Sequence, residues 1–127
     1  MPVVEVNPRD VTPIYAQLDR GLRAAIASGR LKLGEQLPTV RQLAVELKVN
    51  ANTVARVYSE LERAGVIETR RGVGSFILAT PDHARPPHEH ERRLRAFVTH
   101  TLGDAAAAGF SLDELIAQLE SHRTEGA

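Results

Sequence analysis

At 127 residues, with 43% hydrophobic and 25% charged side chains, the chain has room for one core of about 100 residues and a short appendage, which argues against wholesale disorder and leads us to expect no second full domain within it. It has no cysteine, so disulfides, thiolate metal sites and a cysteine nucleophile are excluded. No apolar run approaches the roughly 20 residues that span a bilayer, and Met1 to Asp10 lacks the basic-then-apolar order of a signal peptide, so a cytoplasmic protein is expected.

The formal net charge is zero, yet residues 1–80 hold 11 Lys/Arg against 8 Asp/Glu while residues 81–127 hold 5 against 8. Binding to a polyanion depends on the local field of the contacting face, so the mildly basic first segment is compatible with nucleic acid whatever the total.

Thr12-Pro13 places a capping hydroxyl before a residue suited to the first helical position. Ile14, Leu18, Leu22 and Ile26 then recur every four residues until Ser28-Gly29, which predicts a core helix. Leu31 to Pro38 reads as a turn and a brief extended piece. Thr39 caps a short second helix with Val40, Leu43, Ala44 and Leu47 on one face. Lys48 to Ala51 breaks the pattern, Asn52 caps again, and Val54, Val57, Tyr58 and Leu61 repeat the spacing until Gly65. Val66 to Thr69 and Ser75 to Leu78 are β-prone runs around Arg70-Arg71-Gly72-Val73-Gly74, a predicted hairpin.

Ala79 to His90 contains three prolines and three histidines and reads as a linker. Helical spacing returns with Leu94, Phe97, Val98, Thr101, Leu102 and Ala105, ending at Gly109. Ser111-Leu112-Asp113-Glu114 is a capping box that opens a last helix with Leu112, Leu115, Ile116 and Leu119 on one face. The expected fold is mainly α with a small β-hairpin. Residues 1–79 form a winged helix-turn-helix, 80–90 a linker, and 91–127 a two-helix dimerisation segment.

A helix of the third kind fits the major groove of B-DNA while the second braces it across the backbone. With its apolar stripe inward, Asn52, Thr53, Arg56, Ser59, Glu60 and Arg63 face outward. Asn52, Thr53 and Arg56 occupy the first turns, where adenine, a phosphate or thymine methyl, and guanine are their natural partners. Asn52 also has the simpler reading of a helix cap. Thr39 and Arg41 open the second helix, where a hydroxyl, free N–H groups and a guanidinium can grip one phosphate. Arg70, Arg71 and Gly72 at the hairpin tip suit phosphates or the neighbouring minor groove.

These residues carry a resemblance. TPIYAQL, SGRLKLGEQLPTVRQLA and VNANTVARVYSELERAGVIETRRGVGSFI resemble the GntR family of bacterial transcriptional regulators over about residues 10–79, and the short two-helix tail is similar to its YtrA subfamily. The resemblance implies a winged helix-turn-helix in which Thr39, Arg41, Asn52, Thr53, Arg56, Arg70, Arg71 and Gly72 contact a double-stranded operator. It also implies a tail that dimerises and the regulation of transporter operons, often beside the regulator's own gene. Many members carry basic residues where this chain has Ala51 and Ala55, so fewer side chains remain to read bases here.

Leu94, Phe97, Val98, Leu102, Leu112, Leu115, Ile116 and Leu119 form the stripe expected to meet a second chain, because two helices cannot enclose a separate core. A twofold dimer implies a palindromic operator with half-sites one helical turn, roughly 34 Å, or a multiple apart. No cofactor is expected. His83, His88, His90 and His100 lack the spacing and scaffold of a metal site and read as solvated linker and surface. A small-molecule effector stays open, with room only between wing domain and tail or at a dimer seam. No nucleophile elbow, rigid carboxylate pair or phosphate loop suggests an enzyme. The alternative of an activator, or of a winged helix used only for protein contacts, calls in the latter case for an apolar or acidic recognition face, which Asn52, Thr53, Arg56 and Arg63 do not provide.

Overall fold

The computed structural model describes residues 4–78 and 87–126. The described residues fall into two compact units, one built from residues 4–78 and the other from residues 87–125. In chain order the elements are α1 (Ile14–Ala27), α2 (Val40–Leu47), α3 (Ala51–Arg63), β1 (Ile67–Arg70), β2 (Gly74–Ile77), α4 (Pro87–Ala108) and α5 (Leu112–Gly126).

The first unit closes a core of its own. Leu18, Leu22 and Ala25 of α1, Leu43 and Ala44 of α2, and Val54, Val57, Tyr58 and Leu61 of α3 are buried together with Leu31, Leu37, Ile67 and Ile77. These are the inward positions of the 3.6-residue pattern, and α3 packs against α1, α2 and β1. Val4 joins this core from the N-terminal segment, and it lies so close to Gly21 of α1 that a Cβ there would strike its side chain. A glycine inside an otherwise regular amphipathic helix thus marks a close approach of another segment.

α1 departs from expectation at its start. Pro13 stands in the cap position without a side-chain cap bond, so Thr12 does not cap the helix; its own backbone N–H donates to Asp10 Oδ1 at 3.0 Å. Gln17 takes over the end, its Nε2 donating to the carbonyls of Asn7 (2.9 Å) and Thr12 (2.8 Å). Thr39 does cap α2, with Gln42 completing a capping box. At α3 the cap is Asn50, whose Oδ1 accepts from the Asn52 N–H at 2.8 Å. Asn52 is therefore not the cap but a residue of the first helical turn.

β1 and β2 pair antiparallel with Ile67 opposite Ile77, Glu68 opposite Phe76, Thr69 opposite Ser75 and Arg70 opposite Gly74. Ile67 and Ile77 face the core, which places Glu68, Arg70 and Phe76 on the other face. Both strands sit one residue nearer the turn than the β-prone runs suggest, and Val66, whose carbonyl still accepts from Leu78 N at 2.9 Å, closes the turn that follows α3. Its N–H reaches the Leu61 carbonyl at 2.9 Å around Gly65, whose φ is +78°. The extended piece before α2 joins this sheet through a bridge between Gln36 and Phe76 and bonds from Leu37 N to Ser75 O (2.8 Å) and Ile77 N to Glu35 O (3.0 Å).

In the second unit, α4 begins at Pro87, inside the segment expected to be linker up to His90. Proline is tolerated in the first turn of a helix, where its missing N–H would be unpaired anyway, and Glu89 favours that end. His88 and His90 are thus helical, and residues 79–86, including His83, lie outside the described residues. α4 stops at Gly109 with φ +91°, and Ser111 caps α5 reciprocally with Glu114, each bond 3.1 Å.

Candidate nucleic-acid interface

The geometry of the two crossing helices α2 and α3 rests on buried contacts. Leu43, Val54 and Leu61 are fully enclosed, and the Tyr58 hydroxyl, on the inner side of α3, donates to the Pro38 carbonyl at 2.8 Å just ahead of α2. Burial, aided by Glu46, pushes the Tyr58 phenol far above its ordinary range, so it stays a neutral donor that ties α3 to the segment just ahead of α2. The corner between the helices is turned by Lys48 at φ +58°.

This frame leaves a polar surface outward. Asn52 and Arg56 are exposed and Thr53 half-buried on the first two turns of α3. Since Asn50 does the capping, the Asn52 amide is released for an outside partner. At the start of α2, Thr39 Oγ1 accepts from Gln42 N at 3.1 Å and keeps its own hydrogen to donate. The Val40 and Arg41 N–H groups have no protein partner among the described residues, and Arg41 is exposed beside them. That grouping is a ready anion site at a helix N-terminus.

The hairpin presents the third group. Val73 N bonds Arg70 O at 2.9 Å, with Arg71 and Gly72 exposed between them and Gly72 at φ +77°, where a turn of this kind favours glycine. Gln36 braces the tip by donating its Nε2 to the Val73 carbonyl at 2.9 Å. Gly74, at φ +139°, leaves the space this amide fills, for a Cβ would stand 2.5 Å from Gln36 Nε2.

Two of the arginines are held in place. Arg56 lies over the Tyr15 ring at 4.2 Å from its centroid and pairs through Nε with Glu60 at 3.2 Å. Arg70 lies over Phe76 at 4.4 Å and meets Glu68 at 3.6 Å. These ion pairs are exposed and worth at most about 1 kcal/mol each. Asn50, Gln36, Tyr15 and Phe76 did not stand out in the sequence. Only for Asn50 was there a local signal, an Asx residue one step before a helical pattern.

His100 Nδ1 meets Asp104 Oδ2 at 3.3 Å on the exposed face of α4, and the described residues contain no group of three side chains fit to hold a metal ion. No helix among the described residues is long and apolar enough to cross a membrane.

Comparison with known proteins agrees with this architecture. Residues 14–77 match the family described as bacterial regulatory proteins, gntR family. The HTH-type transcriptional repressor YtrA of Bacillus subtilis (strain 168) is 44% identical over 75 residues, which cover 59% of this chain and 58% of that protein. The chain thus spans little more than half the length of that relative. The solved structure of YtrA from Sulfolobus acidocaldarius, a GntR-family transcription factor, is similar with a TM-score of 0.59 at 28% identity, covering 80% of this chain and 98% of the other. A transcriptional antiterminator from Listeria monocytogenes EGD-e is similar with a TM-score of 0.64 at 28% identity, covering 96% and 91%. A winged helix-turn-helix, matched by the family over half the length of the chain, identifies it as a member of the GntR family of bacterial regulatory proteins.

Proposed function

We propose that the chain acts as a homodimeric repressor that occupies a palindromic operator. In this reading Asn52, Thr53 and Arg56 read base edges in the major groove. Thr39 and Arg41 grip a phosphate at the start of α2, and Arg70, Arg71 and Gly72 follow the backbone or the neighbouring minor groove. The observation that carries it is the outward first turn of α3, where Asn52 and Arg56 are exposed while Val54, Val57 and Leu61 behind them are sealed in the core. The repressor role draws support from the name of the B. subtilis relative.

Dimerisation is supported by the second unit. Leu94, Phe97, Val98, Leu102, Leu112, Ile116 and Leu119 are all exposed, Phe97 to 70%, with Leu115 half-buried. Such a surface on two helices calls for a partner, and a second copy brings the same stripe to meet it. Two copies would set their recognition helices into half-sites about one helical turn, roughly 34 Å, apart.

The test starts with selection of binding duplexes from a random pool, which is expected to return an inverted repeat. On that duplex Arg56→Ala is expected to cost about 1–3 kcal/mol of specific binding with the fold retained. Arg70→Ala should weaken specific and nonspecific binding alike and lower the salt slope by about 1. Fluorescence anisotropy across a salt series reads both. Unchanged affinity in Arg56→Ala removes it from base recognition, and a single asymmetric half-site overturns the dimeric operator.

A further inference from the structure

We infer that Tyr15, on the first turn of α1, is a positioning residue for DNA recognition: its ring fixes the guanidinium of Arg56 in the pose that reads DNA. The inference rests on the reading above that Arg56 contacts the operator, and it assigns to α1, otherwise a core helix, a share in sequence preference.

The guanidinium carbon of Arg56 stands 4.2 Å from the Tyr15 ring centroid, so the ring takes one flat face of the cation. Glu60 takes the Nε–H at 3.2 Å. Face and inner edge being occupied, the two terminal nitrogens are left, and they are the pair that donates side by side to guanine O6 and N7 or to a phosphate. A free arginine must give up the freedom of a long side chain on binding. One that already rests on a ring, pinned by an i+4 carboxylate, has lost part of it beforehand.

Arg70 in the wing is also backed by a ring. Its guanidinium lies over Phe76 at 4.4 Å, although here the acidic neighbour, Glu68, stands 3.6 Å from a terminal nitrogen, Nη2, and not from Nε. Residues 4–78 contain three aromatic side chains, Tyr15, Tyr58 and Phe76; the one that serves the core, Tyr58, bonds to Pro38, and the other two each support an arginine. Tyr15 is 37% exposed and its hydroxyl has no protein partner among the described residues, which separates it from the sealed leucines farther along its helix.

The experiment is a double-mutant cycle on the full chain with the selected operator and an unrelated duplex. Tyr15→Leu, which keeps apolar bulk and removes the ring, is expected to lower operator affinity roughly two- to fivefold, the range of an exposed cation–π contact. Binding to the unrelated duplex and thermal unfolding should be unchanged. In an Arg56→Ala background the same substitution should have no further effect on operator affinity, and Tyr15→Phe should bind as the parent chain does. Equal loss from Tyr15→Leu in both backgrounds overturns the proposal in favour of a packing role. Loss in Tyr15→Phe matching that in Tyr15→Leu overturns it in favour of a direct hydroxyl contact with DNA. If Arg56→Ala alone leaves operator affinity intact, the reading of Arg56 fails and the proposal with it; if Arg56→Ala loses affinity while Tyr15→Leu does not, the proposal alone fails.

Discussion

In the DNA-binding unit Leu18, Leu43, Val54, Val57 and Leu61 are 0% exposed, whereas in α4 and α5 Phe97, Leu112 and Leu119 remain 70%, 55% and 65% exposed. Both regions carry apolar residues at three- and four-residue intervals, so periodicity alone does not separate them. The difference lies in what surrounds each stripe. α1, α2, α3 and the β1–β2 hairpin approach a common centre from several directions, and every stripe finds its cover within the chain. α4 and α5 meet at the Gly109 corner, where Phe110 N bonds Ala105 O at 2.8 Å. Of the hydrophobic residues described in that unit, Ala105 alone is buried. An amphipathic pattern announces that a face will be covered, not by what.

The largest effect that would sharpen this contrast is in the closed core. Leu61→Ala removes a fully enclosed side chain from the junction of α3 with its neighbours and is expected to destabilise the fold by about 2–5 kcal/mol. Urea unfolding followed by circular dichroism reads it, with the same loss at every protein concentration. A loss below about 1 kcal/mol would mean that the core relaxes far more freely than its packing suggests.

The second unit should answer differently. Phe97→Asp places a charge on the one aromatic residue of the stripe, 70% exposed, where a solitary helix would tolerate it and an apolar interface would not. The expected outcome is a mass in light scattering that falls to that of one chain at micromolar concentration, with the helical signal of the DNA-binding unit preserved. Affinity for a two-half-site operator should drop at least about tenfold, since the halves no longer bind as one. An unchanged dimer mass, or a parent chain that is already monomeric, would break the contrast between the two regions.

How far the sequence disclosed this arrangement varies with the range of the interaction. The helices, the hairpin and the Ser111 and Thr39 caps follow from spacing and local chemistry, and so do the outward Asn52 and Arg56, because a helix with a known inner face has a known outer one. The choice of Asn50 over Asn52 as cap was less legible: both are good caps two positions apart, and what decides is that Ala51 is already helical. Gln36 beneath the wing tip and Tyr15 beneath Arg56 lie 37 and 41 positions from their partners, and no local pattern announces such pairs. Val4 against Gly21 is intermediate, for the glycine in α1 leaves room for something without saying what.

The smallest effect compares the two helix-to-helix corners. α4 turns toward α5 through Gly109 at φ +91°, while α2 turns toward α3 through Lys48 at φ +58°. The left-handed conformation costs a residue with a Cβ about 1–2 kcal/mol, which glycine avoids, though glycine gives back up to about 1 kcal/mol through its freedom in the unfolded chain. Lys48→Gly is therefore expected to stabilise the DNA-binding unit by about 0.5 kcal/mol, and Gly109→Ala to destabilise its own corner. A series of urea titrations on both variants measures the two signs. Destabilisation by Lys48→Gly would show that the lysine side chain contributes more to the turn than its backbone conformation costs, and the recognition helix would then owe its angle to that side chain as well as to the Tyr58 bond.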